Sequence, residues 1–145
     1  MKKLICFLSF WIIICPLISN AQDNEIDPKA QSKSGGRIDQ VNYYLKGDIV
    51  VFDITLKNTG QNNDEGYYLE GFYEIVNKEQ TSRPVFFIEQ NTANFYSGMI
   101  YLYSSNIRAD YIRIDHSREG TARVTVLLKW RGKVIDKWSS YMNDF

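Results

Sequence analysis

The chain has 145 residues, and its 17 basic side chains balance 17 acidic ones, so its formal net charge is zero. A nucleic-acid-binding domain carries clustered positive charge, so this composition speaks against DNA or RNA as a partner. Aromatic side chains make up 14% of the residues, and ten of them are tyrosines. Such a composition is typical of half-buried strands and of binding surfaces.

The first 21 residues are organised like a secretory signal peptide. Two lysines precede an apolar run over residues 4–19, and the small residue Ala21 precedes a polar segment. We therefore expect cleavage after Ala21 and a bacterial product that is periplasmic or secreted. Two alternatives remain open. One is an uncleaved anchor, although a membrane-spanning helix needs about twenty apolar residues, and the other is a lipoprotein with its lipid on Cys15.

Cleavage after Ala21 would leave 124 residues, with 15 basic and 17 acidic side chains. Both cysteines, Cys6 and Cys15, would leave with the signal, so the product would have no disulfide, thiol nucleophile or thiolate metal site. A single domain of this length buries enough apolar surface to be held by its own core. We expect no integral membrane span after cleavage.

Residues 22–36 are predicted to form a disordered tether, because they contain almost no apolar side chains. The folded domain is predicted to extend over residues 37–145. Alternation of apolar and polar residues predicts strands at 41–45 and 50–56, joined by a tight turn at Lys46-Gly47.

Further alternating segments predict six more strands. They are expected at 67–76 with a bulge at Gly71, at 84–89, 95–103, 107–115 and 122–130, and after an Arg131-Gly132 turn at 134–141. No segment after the signal shows helical periodicity. Seven or eight short strands predict an all-β fold, a single antiparallel immunoglobulin-like β-sandwich, with a small barrel as the alternative. Trp130 is expected to face the core.

Polar clusters give little support for catalysis. His116 is the only histidine, and its neighbours Asp115 and Ser117 cannot complete a triad, because such groups are brought together by the fold rather than by adjacency. Asp110, Asp115 and Glu119 would need a cleft to act as a glycosidase pair. We therefore predict a protein that is not an enzyme and has no cofactor.

Metal binding is not predicted either. Residues 62–66, Asn-Asn-Asp-Glu-Gly, offer oxygen atoms but lack the alternating ligand pattern of a calcium loop. A single histidine without cysteines does not provide the nitrogen and sulfur ligands of a structural zinc site. Such polar residues are typical of loops between strands.

Adjacent aromatic residues on the predicted strands are the best indication of function. Neighbouring residues of a strand point to opposite faces, so one aromatic of each pair is expected outside the core. Exposed rings bind sugars or protein edges, whereas the alternative is an aromatic core with scattered surface tyrosines. The predicted binding residues are Tyr67, Tyr73, Tyr96, Tyr101 and Tyr103.

Residues 47–60, Gly-Asp-Ile-Val-Val-Phe-Asp-Ile-Thr-Leu-Lys-Asn-Thr-Gly, resemble the strand-and-turn signature of immunoglobulin-like modules in bacterial surface proteins. The order of strands at 50–56, 67–76, 95–103 and 124–138 is similar to that of the small periplasmic immunoglobulin-like chaperones of curli fibre assembly. The resemblance implies a signal-bearing single sandwich that assists fibre assembly, and it assigns no functional residues.

These observations predict an exported, non-enzymatic protein-interaction module whose partner is another exported protein. A periplasmic chaperone or assembly factor for curli-like fibres is the specific form of this prediction. The alternative is a carbohydrate-binding or adhesive module, in which exposed tyrosines stack on a glycan. A small hydrolase using carboxylates ranks last.

Overall fold

The computed structural model describes residues 24–60, 66–77, 81–93, 96–116 and 121–142, and the predicted signal peptide lies outside them. These residues form seven strands and two short helices. In chain order the elements are α1 (Pro28–Ser34), β1 (Gly36–Lys46), β2 (Ile49–Asn58), β3 (Tyr67–Val76), β4 (Val85–Ala93), β5 (Ile100–Arg108), α2 (Ala109–His116), β6 (Thr121–Trp130) and β7 (Lys133–Met142).

The strands form two antiparallel sheets, one in the order β1-β2-β5 and the other in the order β4-β3-β6-β7. The sheets pack face to face around a shared core. The predicted immunoglobulin-like sandwich is therefore confirmed. A closed barrel is not formed, because each sheet of the described residues ends in edge strands.

Alternate residues of β2 and β6 meet between the sheets, as the period-two pattern predicts. Phe52, Ile54, Val126 and Leu128 are each at most 1% exposed. The Phe52 ring stacks on Phe87 of β4, with 4.6 Å between the ring centroids. This contact joins the two sheets, because Phe52 and Phe87 belong to different ones.

The hairpin turns follow short sequence signals. Turns at Gly47-Asp48 and Arg131-Gly132 join β1 to β2 and β6 to β7. Arg131 and Gly132 both have positive φ, 49° and 77°, which is the pattern of a type I′ turn. The predicted bulge is also confirmed, because the register between β3 and β4 shifts at Gly71.

Several predicted strands have the wrong bounds or type. The strand expected at 95–103 is β5, Ile100–Arg108, and the strand expected at 107–115 is helix α2, Ala109–His116. Ala109 and Ile112 are buried against the core, 0% and 1% exposed. Their three-residue spacing suits a helix face, whereas the spacing of two between Ile112 and Ile114 predicts a strand. The strand predicted at 84–89 extends to Ala93.

The prediction of a disordered tether is wrong for residues 28–36, because helix α1 occupies most of this segment. Asp27 caps the helix by accepting hydrogen bonds from the backbone N–H groups of Lys29 and Ala30, at 2.9 and 3.0 Å. These bonds, chiefly the one from Ala30, lower the pKa of the Asp27 carboxyl. Capping and the burial of Ala30 and Ser34 outweigh the low apolar content.

Two hydrogen bonds connect the end of α1 to the sandwich. The Tyr67 hydroxyl donates a 2.5 Å hydrogen bond to the Ser34 carbonyl, and the Thr59 N–H donates to the Gly35 carbonyl at 2.9 Å. Gly35 has φ 71°, and a Cβ atom there would lie 2.2 Å from the Gly60 Cα. Close packing of two glycines therefore brings α1 within reach of Tyr67.

Tyr67→Phe is expected to lower the free energy of unfolding by about 1–3 kcal/mol, because it removes the donor to a buried carbonyl. Urea unfolding measures this loss, and hydrogen exchange of the α1 amides shows whether the helix detaches first. Tyr103→Phe is the matched control, since its hydroxyl accepts an exposed hydrogen bond from Asn91 and should cost less than about 0.5 kcal/mol. Equal stabilities of the two variants would contradict the anchoring role.

Candidate binding surface

Two of the five predicted binding tyrosines belong to the core. Tyr67 is 0% exposed and Tyr73 is 2% exposed, and both pack between the sheets. The prediction that they form part of an exposed aromatic strip is therefore wrong. In β3 the odd-numbered residues face inward, so Tyr68, at 37% exposure, is the exposed member of the Tyr67-Tyr68 pair.

The other three predicted tyrosines lie on or next to β5. Tyr96 is 45% exposed and precedes the strand. Tyr101 and Tyr103 are half-buried and pack against the core at its side. The Tyr103 hydroxyl accepts a 2.9 Å hydrogen bond from Nδ2 of Asn91 on β4. The structure therefore groups these tyrosines where the edges of β4 and β5 meet.

The hydrogen-bond pattern between β2 and β5 determines which backbone N–H and C=O groups of β5 point to the open edge. Two hydrogen bonds bracket it, from the Asn58 N–H to the Met99 carbonyl at 3.1 Å and from the Ala109 N–H to the Asp48 carbonyl at 2.8 Å. Residues facing one another alternate between bonded and non-bonded pairs. Odd-numbered residues of β5 therefore bond to β2. The N–H and C=O groups that point to the open edge belong to Ile100, Leu102, Ser104 and Asn106.

The open edge of β5 is apolar and uncharged over most of its length. Ile100 is 59% exposed and Leu102 is 75% exposed, and both side chains point away from the core. Arg108, at the end of the strand, is its only charged residue. Exposed edges are usually protected by charges, proline or a covering segment, because they pair readily with other strands.

Contacts or irregularities interrupt parts of the other strand edges. The Ile38 N–H of β1 donates to Oδ2 of Asp136 on β7 at 2.7 Å, and the Asp27 N–H donates to the Val134 carbonyl of β7 at 2.8 Å. Strand β4 carries Glu89 and is distorted at Gln90, where φ is 43°. Strand β5 touches β4 through Ser105, whose hydroxyl donates to the Phe87 carbonyl at 3.1 Å. Its outward groups at Ile100 and Leu102 form the uncharged edge that it offers to a partner.

Sequence reasoning missed Ile100 and Leu102, because it assigned binding in this segment to the tyrosines alone. The available signal was the run from Ile100 to Ile107, eight residues without a charge. Only the strand order shows that this run lies at an edge.

The candidate catalytic and metal-binding residues form no described site. Asp110 binds Nη2 of Arg108 at 3.2 Å and is half exposed. The side chains of Asp115 and His116, residues 117–120 and residues 61–65 lie outside the described part of the chain. Among the residues that the structure describes, no three His, Cys, Asp or Glu side chains are grouped to hold a metal ion. No helix in that part of the chain is long and apolar enough to cross a membrane.

Comparison with known proteins leaves the family of the chain undetermined. No family model matches the chain, and no curated protein matches it. One similar solved structure is a β-glucosidase from Kluyveromyces marxianus, with 13% identity over 74% of this chain and a TM-score of 0.45. Another is β-glucosidase 3B from Thermotoga neapolitana, with 12% identity over 77% of this chain and a TM-score of 0.47. A third is a β-glucuronidase from Bacteroides uniformis, with 11% identity over 74% of this chain and a TM-score of 0.44. The chain spans only 14%, 16% and 14% of these three chains.

Proposed function

We propose that the chain is an exported, non-enzymatic binding module that accepts an extended segment of another exported protein at the open edge of β5. The observation that carries this proposal is an uncharged edge strand with Ile100 and Leu102 exposed on it. In strand addition, backbone hydrogen bonds provide affinity, and alternate side chains provide specificity. The predicted signal peptide supports export, so the partner would share the periplasm or the cell exterior.

The geometry of β5 sets the chemistry of the partner segment. Its backbone would bond to the outward N–H and C=O groups of Leu102 and Ser104, and its side chains on the outer face would lie beside Ile100 and Leu102. Apolar or β-branched neighbours stabilise such cross-strand pairs. A charged side chain there would lose hydration without a described counter-charge on the strand. We therefore expect an uncharged segment with high strand propensity.

Subunits of curli-like fibres fit this description, because cross-β fibres grow by pairing strands of low charge through their edges. A module that occupies a subunit edge before export would delay fibre growth. The specific form of the proposal is thus a periplasmic chaperone or assembly factor for such fibres. The resemblance of the predicted strand order to that class of chaperones supports it.

Leu102→Pro is the decisive variant. Proline removes an N–H group that points to the open edge, and it leaves the ladder to β2 intact, because Leu102 makes no ladder bond there. We expect at least a tenfold loss of affinity, about 1.4 kcal/mol, for a partner captured in stoichiometric amount from envelope and secreted fractions. Hydrogen exchange should show the amides of Leu102 and Ser104 becoming protected when the wild-type protein binds this partner.

Two further variants separate binding from folding. Leu102→Lys keeps every backbone group and adds the kind of charge that protects natural edges, so it should also weaken binding. Tyr44→Thr, on the opposite edge strand of the same sheet, should bind as the wild type does. Equal binding by Leu102→Pro, Leu102→Lys and wild type would overturn the proposal. The fibre form is tested separately, by whether the protein delays assembly of a curli-like subunit from its own source.

A further inference from the structure

We propose that the outer face of the β1-β2-β5 sheet carries a second binding site, for a neutral oligosaccharide, centred on Tyr44. Tyr44 of β1 lies opposite Val51 of β2, and Val51 lies opposite Asn106 of β5, so the three side chains form one row across the sheet. This site differs from the β5 edge, because it uses side chains rather than open backbone groups.

The exposed ring of Tyr44 forms an apolar floor. Tyr44 is 47% exposed on the outer face of the sheet, whereas Val51 beside it is buried, at 9% exposure. A phenol ring and a pyranose are both six-membered, so the Tyr44 ring face can cover one sugar unit. The C–H face of a pyranose packs on an aromatic ring, whose phenol keeps its polar end in water.

Polar groups border this floor. Asn42, Asp53 and Ser104 form the next row across the three strands, about 7 Å away along each strand. The Ser104 hydroxyl donates to Oδ1 of Asp53 at 2.8 Å, and Nε2 of Gln40 donates to Oδ1 of Asn42 at 2.9 Å. These contacts orient groups that both donate and accept hydrogen bonds, which matches the hydroxyls of a sugar.

The distribution of charge favours a neutral ligand. At one end of the face, Arg108 pairs with Asp48 and Asp110, with N–O distances of 3.8 and 3.2 Å. At the other end, Lys57 pairs with Asp39 at 2.8 Å. Lys46 lies in the same end row as Arg108. The rows between the two ends hold amides, hydroxyls, the apolar residues Val51 and Leu102, and one carboxylate, Asp53, which would repel an acidic sugar. Because a sheet face is open rather than concave, it suits several linked sugar units better than one enclosed ring.

The probes are four neutral hexasaccharides: maltohexaose, cellohexaose, laminarihexaose and xylohexaose. Each is titrated into ¹⁵N-labelled protein comprising residues 22–145, and binding is followed by NMR. We expect one of them to shift the side-chain amides of Asn42 and Asn106 and the backbone amide of Tyr44. Tyr44→Ala should weaken that binding at least tenfold, about 1.4 kcal/mol. The matched control is Tyr141→Ala, which removes a tyrosine that is 52% exposed on the other sheet and should bind as the wild type does.

The proposal is overturned if no hexasaccharide shifts these amides up to about 10 mM, where even a weak site would be occupied. Shifts confined to residues around Tyr96, or around Tyr111, which is 55% exposed on α2, would overturn it as well. So would unchanged binding by Tyr44→Ala. Leu102→Pro keeps the Tyr44 row and should bind the sugar normally. Loss of protein binding with sugar binding retained would therefore separate the two proposals.

Discussion

Trp130→Ala is expected to lower the free energy of unfolding by about 3–5 kcal/mol, the range for removing a large ring from a core. Trp130 ends β6 and is 7% exposed, which confirms its predicted inward orientation. It packs in the cluster that contains Tyr67, Leu69 and Ile135. Urea unfolding of wild type and variant measures the loss, and an unchanged slope of free energy against urea would show that the difference lies in stability.

Trp130→Phe and Tyr141→Ala are the controls for this loss. Among the described residues, Nε1 of Trp130 is buried without a hydrogen-bond partner, so phenylalanine keeps most of the ring and forfeits no described hydrogen bond. It should cost clearly less than alanine. Tyr141→Ala, at an exposed site, should change stability by less than about 0.5 kcal/mol. A Trp130→Ala protein as stable as the wild type would contradict the packing of β6.

Lys129→Met is expected to lower the free energy of unfolding by about 3–5 kcal/mol, because it removes the ammonium group that pairs with the buried Glu70 carboxylate. Lys129 Nζ lies 2.6 Å from Glu70 Oε2, and the two side chains are 13% and 1% exposed. They lie on the outer face of the four-stranded sheet, next to a small apolar cluster that includes Phe72 and Leu127. Chemical unfolding at neutral pH measures the loss.

The double variant Glu70→Met/Lys129→Met shows whether the loss comes from the buried carboxylate that the single variant retains. Replacing both partners of a buried ion pair by apolar residues is often neutral or stabilising. We therefore expect the double variant to recover most of the stability that Lys129→Met loses, since Phe72 and Leu127 provide apolar contacts on the same face. A double variant less stable than the single one would show instead that the ion pair itself is net stabilising.

Elements that depend on local patterns were predictable. Strands β2, β3 and β6 alternate apolar and polar residues along their length, and the Arg131-Gly132 dipeptide suits a hairpin turn. In these segments propensity, periodicity and turn chemistry agree, so little else is needed to predict them.

Segments in which local signals compete were predicted wrongly. Ala109 and Ile112 fit a helix face, but the isoleucines around them also fit a strand, and burial against β2 and β6 selects the helix. Residues 28–34 have a capped helix start but little apolar surface, and contact with β7 supplies the burial that the segment lacks by itself. Tertiary contacts of this kind regularly override local propensity.

The sequence by itself determined the class of the protein: a small all-β sandwich, with hairpins and core positions that follow from a period of two. Only the tertiary structure decided which residues are available to partners. Tyr67 and Tyr73 look as exposed in sequence as Tyr44, yet the first two face the opposite sheet and the third faces solvent. Ile100 and Leu102 became candidates because β5 ends its sheet. Side-chain direction is local, but whether a face or an edge is covered depends on strand order, which non-local pairing establishes.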